Sequence, residues 1–157
     1  RALQLAHEAG TRTLLNPAPA AALPDHAWAF IDVLTPNATE AAVLLGLEPD
    51  TATDASDLAR ALHERTGGTV IMTRGGDGVL VCDGSGSTTV PAVPAKQVVD
   101  TTGAGDAFTG AAAVALAQGR SPTEAAEFGA RVGAYVVGHH EVIPALPTRA
   151  QLDATIE

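Results

Sequence analysis

The sequence predicts an α/β fold, layered, with a mainly parallel sheet. Three observations carry this. Short β-branched or leucine-rich runs alternate with amphipathic helical stretches through the first half. The strand candidates, such as Thr13-Leu14-Leu15 and Thr69–Thr73, are short apolar runs of the buried kind. The last third then reads as helices alone, which fits helices covering a sheet.

The chain has 157 residues, and 46% hydrophobic against 17% charged content describes one globular body with a real core, not a disordered chain. Nine basic against eighteen acidic residues give a net charge of −9, which argues against nucleic acid or an anionic membrane surface as a partner. No apolar run approaches the roughly 18 residues of a membrane span. Cys82, the one cysteine, sits in the apolar run Val79–Cys82, reads as a buried small hydrophobe and allows no disulfide. A reducing cytoplasm suits it. The chain opens at Arg1, without Met and already inside a helix-like pattern, so it reads as cut from a longer protein.

Residues 2–9 predict a helix ending at Gly10, and Thr13-Leu14-Leu15 a short buried strand that the prolines of Asn16-Pro17-Ala18-Pro19 stop. Ile31–Leu34 is a second strand, with Trp28 and Phe30 before it as core. Thr35-Pro36-Asn37-Ala38-Thr39-Glu40 then leads into a helix through Leu45, closed by Gly46. Asn37 with Glu40 is a capping box that needs no ligand. Thr53 to Asp57 caps a scaffold helix running to Gly67-Gly68.

Thr69–Thr73 is a buried strand and Val79–Cys82 another, joined by Arg74-Gly75-Gly76-Asp77-Gly78, whose glycines suit the positive-φ positions of a hairpin. Asp83–Ser87 is a turn, followed by a strand over 87–90 and a proline-punctuated approach to Val98-Val99, an expected strand end. Lys96 on that approach is a solvated charge or a phosphate contact.

The chain is organised around Asp100-Thr101-Thr102-Gly103-Ala104-Gly105-Asp106. A helix start carries unpartnered N–H groups and the positive end of the helix dipole, and Gly103 and Gly105 let backbone approach a ligand. Asp106 would repel a resting phosphate but suits a hydroxyl that must lose its proton to attack one. An ordinary turn with an aspartate in the first helical turn is the other reading. The following helix, rich in alanine from Gly110 to Ala117, is expected to be buried on most sides. Ser121-Pro122-Thr123-Glu124 opens a helix to about Val137 with a capping box, and Thr148-Arg149-Ala150-Gln151 opens a last short one.

Asp100 to Phe108 resembles the signature of the ribokinase-like family of sugar and nucleoside kinases, and the resemblance extends over nearly all 157 residues. It implies a layered αβα fold of which residues 1–157 are the C-terminal nucleotide-binding and catalytic portion, the N-terminal half and its lid being absent. Members are about twice as long as this chain, beyond a typical domain of about 100–150 residues. It further implies that Asp106 is the base, that Gly103, Ala104 and Gly105 form an anion hole, and that Thr73, Arg74, Gly75, Gly76, Asp77 and Gly78, with Asn37 and Gly105, bind the nucleotide.

The resemblance gives Glu40, with Asn37 nearby, to Mg²⁺, and Asp100 and Thr102 to a monovalent cation, K⁺. Asn16-Pro17-Ala18-Pro19 leans toward the ribokinase branch. Implied partners are ATP and a small sugar, ribose before others, and a homodimer in the intact enzyme. Two features depart from the family pattern: Ala130 replaces an Asn or His near the nucleotide, and Gly138-His139-His140-Glu141-Val142 replaces a basic, glycine-ending turn. The two histidines read as a solvated helix end, not a zinc site. Kinases for fructose, a sugar phosphate or a nucleoside, and a non-catalytic nucleotide-binding module, stay open as alternatives.

Overall fold

The computed structural model describes residues 1–95 and 97–154; Lys96 lies outside the described residues. The chain divides into two compact units, the first comprising residues 1–74 and 79–89 and the second residues 75–78 and 90–157.

The first unit is a sheet with helices. Helix α1 (Ala2–Glu8) leads to β1 (Leu14–Leu15), and β2 (Val33–Leu34) follows a 3-10 turn over Asp25–Phe30. Helices α2 (Ala38–Leu44) and α3 (Ala55–Thr66) precede β3 (Thr69–Thr73), β4 (Val79–Asp83) and β5 (Gly86–Val90). The strands lie in chain order. β1, β2 and β3 are parallel, with Leu14 opposite Val33 and Val33 opposite Thr69, and β3 pairs antiparallel with β4, Thr73 facing Val79.

β1 and β2 are shorter than expected, two residues each, because the second residue beyond each is a proline with no N–H to extend the ladder. Their entry ends are clamped instead by side chains. The Thr13 amide donates to Asp32 Oδ2 at 2.7 Å, and the Asp32 amide donates to Thr13 Oγ1 at 3.0 Å.

The core of this unit joins Leu34 and Leu44 to Leu58 and Leu62 of α3 and to Val70, Met72, Leu80 and Cys82 of the sheet. Burying each such leucine contributes about 1.5–3 kcal/mol. The alternation of apolar positions on α3 is what lets one helix cover β3 and β4. Cys82 is buried, as expected, and so is Trp28, while Phe30 is half-buried against the His7 ring.

The second unit is helical. Helices α4 (Ala104–Ala117) and α5 (Pro122–Val136) pack on each other, and α6 (Arg149–Asp153) packs on α5. The small residue that lets α4 and α5 approach is on α5: a methyl built on Gly129 would stand 2.7 Å from the Phe108 ring.

Two expectations need correction here. α4 is not buried on most sides; Ala107, Phe108, Ala111, Ala112, Ala115 and Leu116 are buried, but Gly110, Ala113, Val114 and Ala117 face outward. Alanine content signals close packing without saying on how many faces it happens. Val98-Val99 forms no strand either. The Val99 and Asp100 amides both donate to the carbonyl of Val137, at 2.7 and 3.2 Å, so the segment is pinned to the end of α5 and Val98 is exposed.

Candidate active site

The first unit assembles one group of expected site residues at the C-terminal end of its parallel strands, the end at which open α/β sheets bind ligands. Thr73 ends β3, its amide donates to the carbonyl of Pro36 at 2.9 Å, and Thr73 bridges to Asn37 in parallel register. Asn37 and Thr73, thirty-six positions apart in the numbering, are therefore neighbours.

Asn37 caps α2: its side chain accepts the Glu40 amide at 2.8 Å while Glu40 Oε2 accepts the Asn37 amide at 2.8 Å. The capping box is thus formed. It engages one oxygen of each side chain, so Oε1 of Glu40 and the amide group of Asn37 are left for other chemistry. Arg74 is half-buried, and its guanidinium joins the Ser56 amide and hydroxyl, the larger causes, in holding the Asp54 carboxyl below its usual range.

The second unit holds the rest. Gly75, Gly76 and Asp77 form an exposed 3-10 turn, with φ of 55° at Gly75 and 83° at Gly78. Gly78 is buried so tightly that a methyl there would meet the Val90 carbonyl oxygen at 2.2 Å. This loop therefore needs glycine at 78 for two independent reasons, its conformation and its space.

Gly103 is the N-cap of α4 with φ of 77°, and no side chain caps the helix. The Ala104 amide donates to the Thr101 carbonyl at a long 3.3 Å. Gly105 and Asp106 are exposed at the second and third helical positions, while Gly103 and Ala104 are half-buried. The helix begins two residues before Asp106, earlier than a carboxylate at the cap would set it.

Just before the turn, the Thr102 amide donates to Asp100 Oδ1 at 2.9 Å. Thr102, through its amide and then its hydroxyl, holds the Asp100 carboxyl below its usual range, with His140 adding a smaller effect. Asp100 directly precedes the Thr101–Gly103 turn that leads into α4.

Sequence reasoning missed Val142. A methyl on Gly103 would stand 2.5 Å from Val142 Cγ1, so this valine packs over the turn that opens α4. Its position in the departing Gly138–Val142 segment is the one signal that pointed there. His139 Nδ1 donates to the Tyr135 carbonyl, 2.8 Å away, and its ring stacks on Tyr135, the helix-end role expected of it. Among the described residues no group of three or more His, Cys, Asp or Glu is placed to hold a metal ion. Ala130 is half-buried on α5. Among the described residues no helix is long and apolar enough to cross a membrane.

Comparison with known proteins bears on this arrangement. The model of the pfkB family of carbohydrate kinases matches residues 1–149. The chain is 37% identical over 150 residues to a ribokinase of Haemophilus influenzae, covering 96% of this chain and 49% of that protein. It is also 40% identical over 101 residues to a cytidine kinase of Thermococcus kodakarensis, across 63% of this chain and 34% of the relative.

In structure it is similar to Arabidopsis thaliana ribokinase complexed with ribose and ATP, with a TM-score of 0.87 and 30% identity over 99% of this chain and 50% of that one. The chain spans about half the length of the ribokinases it matches. The fold is the ribokinase-like α/β fold, with a mixed, mostly parallel sheet of five strands. A family match over nearly the whole length, joined to that likeness of fold, identifies it: the chain belongs to the pfkB family of carbohydrate kinases.

Proposed function

We propose that residues 1–157 are the nucleotide-binding and catalytic portion of an ATP-dependent sugar kinase whose acceptor is ribose. The observation that carries this is the α4 start: a left-handed glycine, a helix entrance without a side-chain cap, and exposed Gly105 and Asp106 in its first turn. The ribokinase relatives supply the choice of sugar.

In this reading Asp106 takes the proton from a primary hydroxyl of the sugar as its oxygen attacks the γ-phosphorus of ATP in line. The bond from that phosphorus to the β,γ-bridging oxygen breaks and ADP leaves. Backbone amides of Gly103, Ala104 and Gly105 stabilise the charge that develops on the transferred group. Thr73 to Gly78 and Asn37 bind the nucleotide. The chemistry is mostly positioning, which suits a rigid helix start and glycine turns.

The residues present fit the two cations the family implies. Glu40 retains one carboxylate oxygen beyond its capping bond, a hard donor of the kind Mg²⁺ takes alongside water and phosphate oxygens, with Asn37 beside it. The Asp100 carboxyl, whose pKa Thr102 holds below its usual range, and the Thr102 carbonyl are oxygen donors suited to K⁺. When bound, these ions neutralise phosphate charge and the charge near the hole. The intact protein would work in the cytoplasm as a homodimer.

Phosphoryl transfer from ATP to D-ribose by the intact protein, with and without Asp106→Ala, tests the assignment. Loss of a general base costs typically 10²- to 10⁴-fold, and nucleotide binding should persist. Wild-type-like turnover in the variant would remove Asp106 from the mechanism. The likeness to a cytidine kinase favours one second acceptor class, so cytidine belongs in the same assay. Faster transfer to the nucleoside than to ribose would reassign the substrate.

A further inference from the structure

Three guanidinium groups converge on one aromatic ring in the second unit. The guanidinium carbons of Arg120, Arg131 and Arg149 lie 5.3, 5.8 and 5.6 Å from the centre of the Phe128 ring. These are three of eight arginines in a chain of net charge −9. Arg120 follows the end of α4, Arg131 is one turn beyond Phe128 on α5, and Arg149 opens α6, so three separate elements bring the charges together. Proximity in sequence explains only one of the three.

Attraction to a ring acts over its faces. A ring has two faces, so at least two of the guanidiniums share one, and like charges gathered there repel each other. The carboxylates at hand answer only part of this charge. Asp153 pairs with Arg149 at 3.2 Å in an exposed contact, a kind worth about 0–1 kcal/mol. Glu124 feels Arg120, but its carboxylate accepts the Ser121 hydroxyl and amide, at 2.7 and 2.8 Å. Among the described residues neither Arg120 nor Arg131 has an ion pair.

We propose that the Arg120–Arg131–Arg149 cluster about Phe128 binds a small multivalent anion bearing phosphate groups. Planar guanidiniums offer paired N–H donors that match phosphate oxygens, and the ring beneath them limits the orientations they must give up on binding. The site is distinct from the proposed hole. Arg120 and Asp106 lie toward opposite ends of α4, a helix of 14 residues and so about 21 Å long.

Titration calorimetry of the intact protein with inorganic pyrophosphate, at low and physiological salt, is the test. Comparison with Arg120→Gln, Arg131→Gln and the triple glutamine variant isolates this site from any other that takes phosphate, because only the difference between proteins is read. Each single change should weaken the site about tenfold, and the triple change should abolish that binding event while the thermal midpoint and nucleotide binding hold. Arg→Lys at all three positions should restore part of the affinity. Identical isotherms for wild type and the triple variant would overturn the proposal. So would weakening that appears only in variants with a lowered thermal midpoint.

Discussion

Gly103 can be tested through the side chain packed over it. Its φ of +77° is a conformation in which an L-residue places Cβ against backbone, at about 1–2 kcal/mol. A methyl there would also stand 2.5 Å from Val142 Cγ1 and 3.4 Å from Cβ and Cγ2, and relieving such an overlap costs about 1–3 kcal/mol. Gly103→Ala should therefore destabilise the intact protein by about 2–5 kcal/mol.

The second part of that cost is removable, because the obstacle is a side chain. Val142→Ala deletes both γ carbons and, for a half-buried valine, should by itself cost about 1 kcal/mol. In the double variant the overlap is gone while the backbone strain stays. Urea unfolding of the four proteins should then give a coupling of about 1–3 kcal/mol in the stabilising direction. Additivity within about 0.5 kcal/mol would mean that Val142 does not press on Gly103, and the packing argument would fail.

Gly105→Ala should behave oppositely, since a methyl there meets nothing within 4 Å and the residue is helical. It should leave stability unchanged or raise it by up to about 1 kcal/mol, yet lower phosphoryl transfer. Unaltered kinetics would put the transferred group elsewhere. Glu40→Gln preserves the capping box, because glutamine serves at that position, while removing the charge. The thermal midpoint should hold and the Mg²⁺ concentration for half-maximal activity should rise; an unchanged Mg²⁺ dependence would leave Glu40 only its capping role.

For Glu124, the Ser121 hydroxyl and then its amide lower the folded pKa. Its stabilising contribution is then complete above the unfolded value of about 4.3 and is lost as pH falls through the folded one. Glu124→Gln keeps the box but cannot titrate, so the stability gap between wild type and variant should narrow as pH drops below that window. A gap that is constant from neutral pH to acid would contradict this.

The features legible in the sequence are those with local causes. Three capping boxes, at Asn37, Ser121 and Thr148, are present where a polar cap is followed three residues later by Glu or Gln. The β3 strand, Thr69–Thr73, matches its β-branched run. The glycine turn before α4 was legible for the same reason, since glycine takes the positive φ of 77° at the N-cap without a Cβ penalty. Strand ends were less so. Thr13 and Ile31 fall outside the ladders, because a two-residue parallel strand is defined by its neighbours and not by its own side chains.

By itself, then, the sequence determined the order of helices and strands, the caps, the turn at Gly103 and the acidic residue one turn beyond it, since each follows from the conformational limits of a few adjacent residues. Tertiary structure decided what meets what: Asn37 beside Thr73, Val142 over Gly103, and three arginines about Phe128. It also decided that Asp106 faces outward while its helix neighbour Ala107 is buried. Local rules cannot reach these pairings, because each is set by the burial of distant apolar residues that carries two remote segments to the same place.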